Sequence, residues 1–399
     1  MNSQTPTRPC WAEISTQSLE ENFRFLVRLV APSGSLLAIV KADAYGHSLA
    51  LCAPAAVRAG ARWLGVTSVE EGVAARALCP EPRILVIGGV FPGQAADLIG
   101  HRLTPVAWET WQLDELIVAA RRANLRTGSL PVHLEIDTGM SRQGAMFGGL
   151  APVLERFAPG SPLRLEAVMT HLYAADEADG RETAAQLELL ERAIGQIGSF
   201  GLYAEWLNVG NSAALVSGQS HKIAALASKH GMQLLLRPGL ALYGLVPEFS
   251  PSFAPPEPAT LAQTRPALRP VLEWKSRVVT VREVPAGASV GYNATFVATE
   301  PMRLALVAAG YADGLDRRLG NRFHLLIRGQ RAPLVGRVSM DQATLDVTEI
   351  EGTETGDEVV LLGTQGCETI SAFDHARAAG TIPWEIFTRI GARVPRKAV

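Results

Sequence analysis

Lys41 stands where an apolar run, residues 36–40, gives way to the polar turn ADAYGHS. A lysine emerging from such a strand is partly desolvated, which disfavours its ammonium form, lowers its pKa and frees the amine to form a Schiff base with a carbonyl such as that of pyridoxal phosphate. Lys41 is therefore the candidate cofactor anchor. That cofactor also needs a phosphate cradle and a partner for its ring nitrogen. Asn211 and Ser212 follow an apolar run and open the helical Ala213-Ala214-Leu215, so a hydroxyl and free backbone N–H groups face a potential anion. The plain alternative is an ordinary N-cap. Gly239, two residues after Arg237, lets backbone approach a phosphate oxygen closely. Arg237 can donate to a ring nitrogen but cannot hand it a proton. An unprotonated ring is a poorer electron sink, and such a site suits simple removal and return of a proton.

The elements that must position these residues alternate in kind. Eight short apolar runs, at 36–40, 63–68, 84–88, 103–108, 132–137, 165–170, 206–209 and 234–243, are separated by stretches of helical character such as 68–77, 111–123 and 180–195. Eight such units close a (β/α)8 barrel, whose chemistry gathers at the C-terminal ends of its strands. Lys41, Asp137, His171, Asn211 with Ser212, and Arg237 close these runs. Residues 247–270 are rich in proline and read as a linker that continues neither helix nor strand. Beyond them, closely spaced strands at 274–281, 303–308, 324–327, 343–347 and 358–362 predict a mostly β second domain. The expected division is a barrel over 12–246, the linker over 247–270 and a β domain over 271–399, with residues 1–11 packing against that last domain.

Composition narrows the partners. The 399 residues are 47% hydrophobic and 19% charged with a net charge of -2, a globular profile without a basic nucleic-acid surface. Cys10, Cys52, Cys79 and Cys367 have no metal-ligand spacing and are too sparse for a disulfide framework, so they read as reduced thiols in the cytoplasm. No metal is expected. The N-terminus lacks the apolar core of a signal peptide, and no apolar run approaches the ~18 residues of a membrane span. A small neutral or zwitterionic substrate fits this balance, with neither nucleic acid nor membrane as partner.

Nine motifs then occur in one order: AIVKADAYGH, HLEIDTGMSRQG, Thr170-His171, NSAAL, RPGLALYGL, VGYNATFVA, AAGYADGL, VGRVSMDQATLDVT and TIPWEIFTRIGARVPR. With them the chain resembles the bacterial alanine racemases along nearly its whole length. The resemblance implies a pyridoxal-phosphate enzyme that interconverts L- and D-alanine and supplies D-alanine for peptidoglycan. It implies a head-to-tail homodimer with shared active sites. Lys41 would be cofactor anchor and base on one face of the substrate, and Tyr292 from the other subunit the base on the opposite face, since inversion requires removal and delivery from opposite sides. The resemblance gives His171 a hydrogen bond to Tyr292 and a reach to Arg237, and sets Arg142 near the phenolic oxygen and the substrate carboxylate. It assigns Tyr45, Ser212 and the backbone at Gly239 and Leu240 to the phosphate. Met340, through its N–H, and Asp341 belong to the carboxylate-binding wall, and Tyr311 to the entry passage.

Three positions depart from the family pattern. Where many members carry a carbamylated lysine, this chain has Glu135, expected to supply the carboxylate directly and orient Arg142. Trp384 replaces a tyrosine that touches the phosphate and narrows the entrance; indole N–H donates but cannot accept, so a tight preference for alanine over serine is expected. Ser48 reads as structural. A serine or broad-specificity racemase shares this chemistry. A non-catalytic pyridoxal-phosphate carrier would need neither Tyr292 nor a second domain.

Overall fold

The chain clusters into two units in the computed structural model, which describes residues 8–30, 32–251 and 258–399. One unit comprises Gln17–Ala44 and Cys52–Arg269; the other gathers the residues through Thr16, the short segment Tyr45–Leu51, and Pro270–Val399. The chain opens with β1 (Cys10–Ile14), which belongs to the second unit.

The first unit is a closed parallel barrel of eight strands among the described residues: β2 (Gly34–Ile39), β3 (Trp63–Val66), β4 (Arg83–Val86), β5 (Thr104–Ala107), β6 (Leu130–Glu135), β7 (Leu163–Met169), β8 (Trp206–Asn208) and β9 (Gln233–Leu236). Pairing of Gly34 with Leu234 closes the ring. Strands covered on both faces read as continuous apolar runs, and Leu36 through Ile39 and Leu234 through Leu236 are all buried. Small residues make room inside. A Cβ on Gly65 would stand 2.4 Å from Leu37 Cδ2 and 2.7 Å from Ile39 Cδ1, so a larger residue there forces two core side chains apart. Helices cover the outside with stripes at three- and four-residue spacing. In Arg181–Ser199 the stripe includes Leu187, Leu190, Ala193, Ile194 and Ile197, and each buried leucine or isoleucine contributes about 1.5–3 kcal/mol.

The last apolar run stops short of the expected 243. Pro238 removes a ladder donor and Gly239 breaks the extended path, so β9 ends at Leu236 and Leu240–Tyr243 winds into a 3-10 turn. The segment read as a linker also holds structure. A helix spans Ala259–Ala267, with Leu261 and Thr264 buried and Pro266 in its final turn. The middle of that segment, 252–257, and residues 1–7 of the N-terminal arm lie outside the described residues.

The second unit is mostly β. Its strands are β10 (Leu272–Val284), β11 (Ser289–Val290), β12 (Phe296–Val297), β13 (Met302–Val307), β14 (His324–Ile327), β15 (Gln330–Pro333), β16 (Ala343–Asp346), β17 (Glu358–Gln365), β18 (Glu368–Ile370) and β19 (Arg396–Ala398). Around β10 the sheet runs β15-β14-β17-β10-β1-β19, while β13 pairs with both β10 and β16. The first half of β10 alternates buried and less buried residues, the period-two pattern of a half-covered strand, with Trp274 wholly buried. Tyr45–Leu51 joins this unit through Arg396 Nε, which donates to Gly46 O at 2.9 Å, and through stacking of His47 on Phe387 at 4.7 Å.

Candidate active site

In the barrel unit the residues of interest cluster where the strands end. Lys41 follows β2, and Ala42, Asp43, Ala44 and Tyr45 have φ of 52°, 51°, 55° and 54°, one turn of left-handed helix built without a glycine. That conformation costs non-glycine residues about 1–2 kcal/mol each, a strain that other contacts must hold in place. Lys41 itself makes no hydrogen bond or ion pair among the described residues. Burial, then the nearby Arg142 and Arg237, push its pKa below the usual lysine value, while Glu71 opposes them. An unpaired amine biased toward its neutral form is what bonding to an aldehyde requires.

Arg237, after β9, is 4% exposed and heavily engaged. One terminal nitrogen donates to Asn208 O at 2.7 Å and Asn208 Oδ1 at 2.6 Å; the other donates to Thr170 O at 2.9 Å and His171 Nδ1 at 3.2 Å. Its Nε donates to no described residue and remains for a ligand. Burial lowers its pKa to about 10, with Glu135 opposing, so it stays charged near neutral pH. Because the guanidinium only donates, His171 Nδ1 must accept and the imidazole proton sits on Nε2. Burial, Arg237, Arg142 and Lys41 bring His171 down to about 3, a neutral ring.

The same logic runs deeper into the barrel. Asn208 turns its oxygen to Arg237, so its amide nitrogen donates to His133 Nδ1 at 3.0 Å, and the single imidazole proton, on Nε2, faces Glu166 at 3.4 Å. His133 and the Glu166 side chain are fully buried. Although burial opposes ionisation, the closeness of His133 and a hydrogen bond from Arg83 hold Glu166 at about 2. Asn208 and His133 escaped the sequence reading. Their signal is a polar residue at an inward-facing position of an otherwise apolar strand.

On the next strand ends, Asn211 caps the helix Ser212–Val216 by accepting from Ala214 N at 3.1 Å. Ser212 Oγ accepts from Gly239 N at 3.0 Å and Ala241 N at 3.1 Å, with Leu240 between them. Its lone pairs thus engaged, its own O–H is left to donate elsewhere, as an anion would require. The unpaired lysine, the open Nε of Arg237 and this hydroxyl lie at the ends of β2, β9 and β8, and together they fit pyridoxal phosphate.

After β6, Asp137 Oδ1 accepts from Gly139 N at 2.8 Å and Ser141 N at 3.1 Å and shapes the loop that carries Arg142. Asp137 is a turn former here. Arg142 is exposed, and Glu135 does not pair with it. Buried at 1% exposure, the Glu135 carboxylate instead accepts from Gln143 Nε2 at 2.5 Å, and Gln143 also donates to Ile87 O at 3.2 Å. No hydrogen bond or ion pair joins Glu135 to Arg142 among the described residues; the partner of the carboxylate is the residue that follows Arg142 in the chain, Gln143. Burial raises the Glu135 pKa, with Gln143, Arg237 and Arg142 pulling the other way.

The β unit carries the remaining candidates. Tyr292 sits on the turn between β11 and β12 and is 63% exposed. Gly291 (φ 73°) starts that turn, and Val290, Ala298, Met302, Leu304 and Val335 pack beneath it. Tyr311 N donates to Ser339 O and Ala312 N to Met340 O, both at 3.0 Å, which zips the loop of Tyr311 to that of Met340 and Asp341. Gly310 permits this contact, since a Cβ there would lie 2.4 Å from Met340 O. Asp341 pairs with Arg393 at 2.8 Å, and Met340 is 53% exposed. Trp384 spends its indole N–H on Tyr45, and burial lifts the Tyr45 phenol to about 12.

The family models for the alanine racemase N-terminal and C-terminal domains match residues 14–247 and 271–398. The chain belongs to the alanine racemase family. That makes it an amino-acid racemase. An alanine racemase of Symbiobacterium thermophilum is 38% identical over 98% of this chain and 97% of its own length, and one of Halothermothrix orenii is 36% identical with the same coverage. Among solved structures, the alanine racemase of Streptomyces coelicolor A3(2) aligns with a TM-score of 0.86 at 34% identity, covering 98% of both chains. That of Bartonella henselae, with covalently bound pyridoxal phosphate, aligns with a TM-score of 0.82 at 26% identity, covering 98% of this chain and 99% of its own. Family and barrel agree with the expectation from the sequence.

Proposed function

We propose that the protein interconverts L- and D-alanine with pyridoxal phosphate and two bases, and that it supplies D-alanine for peptidoglycan in the cytoplasm. The observation that carries this reading is the unpaired, partly buried amine of Lys41 beside an arginine whose orientation is fixed by four hydrogen bonds. When bound, the cofactor acidifies the substrate α-hydrogen by drawing off electron density. Lys41 would hold it, Arg237 Nε would face its ring nitrogen, and Ser212 with the Gly239–Leu240 backbone and Tyr45 would serve its phosphate. Arg237 bears a charge but offers no transferable proton, which favours return of the α-proton over other fates of the activated carbon.

Lys41 is the base on one face. Tyr292, from the second copy of a head-to-tail homodimer, is the base on the other. Its exposure, with that of Met340 and Tyr311, leaves large apolar side chains in water, a surface suited to another chain. Arg142 and the Met340 N–H bind the substrate carboxylate, Asp341 flanks them, and Tyr311 lines the approach. Purified protein incubated with L-alanine in deuterated water is expected to lose optical rotation while the α-position gains deuterium. Cofactor binding without exchange points to a carrier and sinks the reading.

Glu135 supports Arg142 through Gln143. Glu135→Gln is expected to lower kcat/KM for alanine about 10-fold by turning an amide toward the Gln143 amide and removing a charge beside two arginines. Steady-state kinetics check this, and unchanged turnover and substrate affinity count against it. The indole of Trp384 narrows the pocket, so serine is expected to turn over at least about 10-fold more slowly than alanine, the size of discrimination one added hydroxyl gives in an apolar pocket. Equal rates for the two favour a broad-specificity racemase.

A further inference from the structure

Glu71 lies in neither the family motifs quoted above nor the cluster around Arg237, yet it holds the backbone on which Lys41 is mounted. It occupies the third position of the helix Val69–Leu78, whose N-cap is Ser68, and its own amide donates to Ser68 Oγ at 3.3 Å. An acidic side chain there ordinarily folds back onto the N-cap amide. This one bypasses Ser68. Oε2 accepts from Thr67 N at 2.7 Å, just beyond the end of β3, and Oε1 accepts from Ala42 N at 2.7 Å, the first amide after Lys41. One carboxylate therefore ties the ends of two adjacent barrel strands to a helix N-terminus.

Ala42 also begins the left-handed turn. Inside that turn Ala44 N donates to Val40 O at 2.9 Å, which leaves the Ala42 amide to be fixed from outside, and Glu71 is the group that fixes it. We propose that Glu71 is the positioning residue of Lys41, clamping the strained turn so that the amine points to the carbonyl it must bond. A side-chain amide cannot do the same work, because glutamine offers one oxygen where two amides need acceptors. Glu71 is also the carboxylate that favours the charged form of Lys41 against burial and two arginines. Misplacement of a reacting group by about 1 Å costs on the order of 100-fold in rate, so the clamp bears on chemistry without touching substrate.

The inference rests on the racemase reading for its kinetic consequence only. Cofactor capture tests it separately. Resolved enzyme is reconstituted with pyridoxal phosphate at a series of pH values; the rate of covalent capture is followed by visible absorbance, and attachment at Lys41 is confirmed by borohydride reduction and mass spectrometry. Glu71→Ala is expected to lower the high-pH capture plateau and alanine kcat about 10- to 100-fold, with KM within about twofold. Glu71→Gln is expected to give a smaller loss and a capture midpoint moved to lower pH. Ala42→Gly, which relieves the left-handed strain, is expected to restore most of the plateau in the Glu71→Ala background. An unchanged plateau in both Glu71 variants overturns the assignment, as does a loss that glycine at 42 leaves unrepaired. If the unaltered enzyme captures cofactor but does not racemise alanine, the functional reading fails while the capture plateau still decides on Glu71.

Discussion

Lys41→Ala is expected to reduce alanine racemisation by more than about 10,000-fold, the largest single effect in the molecule. Two losses coincide in that side chain. On the proposed mechanism the covalent anchor disappears, and so does the base on one face of the substrate, each of them needed in every turnover. The barrel should survive the change, because among the described residues the amine makes no hydrogen bond or ion pair whose loss would unfold it and the Ala42 amide is held by Glu71. The measurement is racemisation with α-deuterium uptake, alongside circular dichroism to verify folding. Retention of even one per cent of the activity in a folded Lys41→Ala protein would remove the anchor assignment.

Tyr292→Phe is expected to lower racemisation about 100- to 10,000-fold, the range for loss of one general acid–base group. Only a hydroxyl is removed from a residue 63% exposed, so stability should change by less than about 0.5 kcal/mol. Because the lysine-side base remains, α-hydrogen exchange of one enantiomer should persist without inversion. Exchange and inversion therefore separate in this variant and stay coupled in the parent enzyme. Mixing adds a sharper test. If the two bases come from different chains, a mixed dimer of Lys41→Ala and Tyr292→Phe protomers contains one intact site and one doubly altered site, and random reassortment should recover about a quarter of parental activity. Bases drawn from one chain would recover none.

The two halves of this chemistry differed in how openly the sequence displayed them. The placement of Lys41, His171, Ser212 and Arg237 was legible because each ends an apolar run, and the ends of barrel strands converge whatever their separation along the chain. Glu71, Gln143, Asn208 and His133 were not, because nothing local distinguishes a capping glutamate from one that reaches across to another strand, or a core asparagine from one that carries an arginine. Glu135 illustrates the limit well. Its carboxylate was expected on Arg142, yet side-chain direction on β6 buries it and hands its hydrogen bond to Gln143. The helix Ala259–Ala267 was hidden for another reason: proline content argued against it, and burial of Leu261 and Thr264 overrode that local preference.

By itself, then, the order of residues determined the alternation of strand and helix, the number of barrel strands, the second β domain and the family, since periodicity and motif spacing are properties of the chain. Hydrogen-bond direction was decided only in three dimensions. Which atom Asn208 presents, which nitrogen of His171 keeps its proton and which amides Glu71 holds all follow from what a fixed neighbour can donate or accept, and that neighbour is mostly supplied by residues tens of positions away.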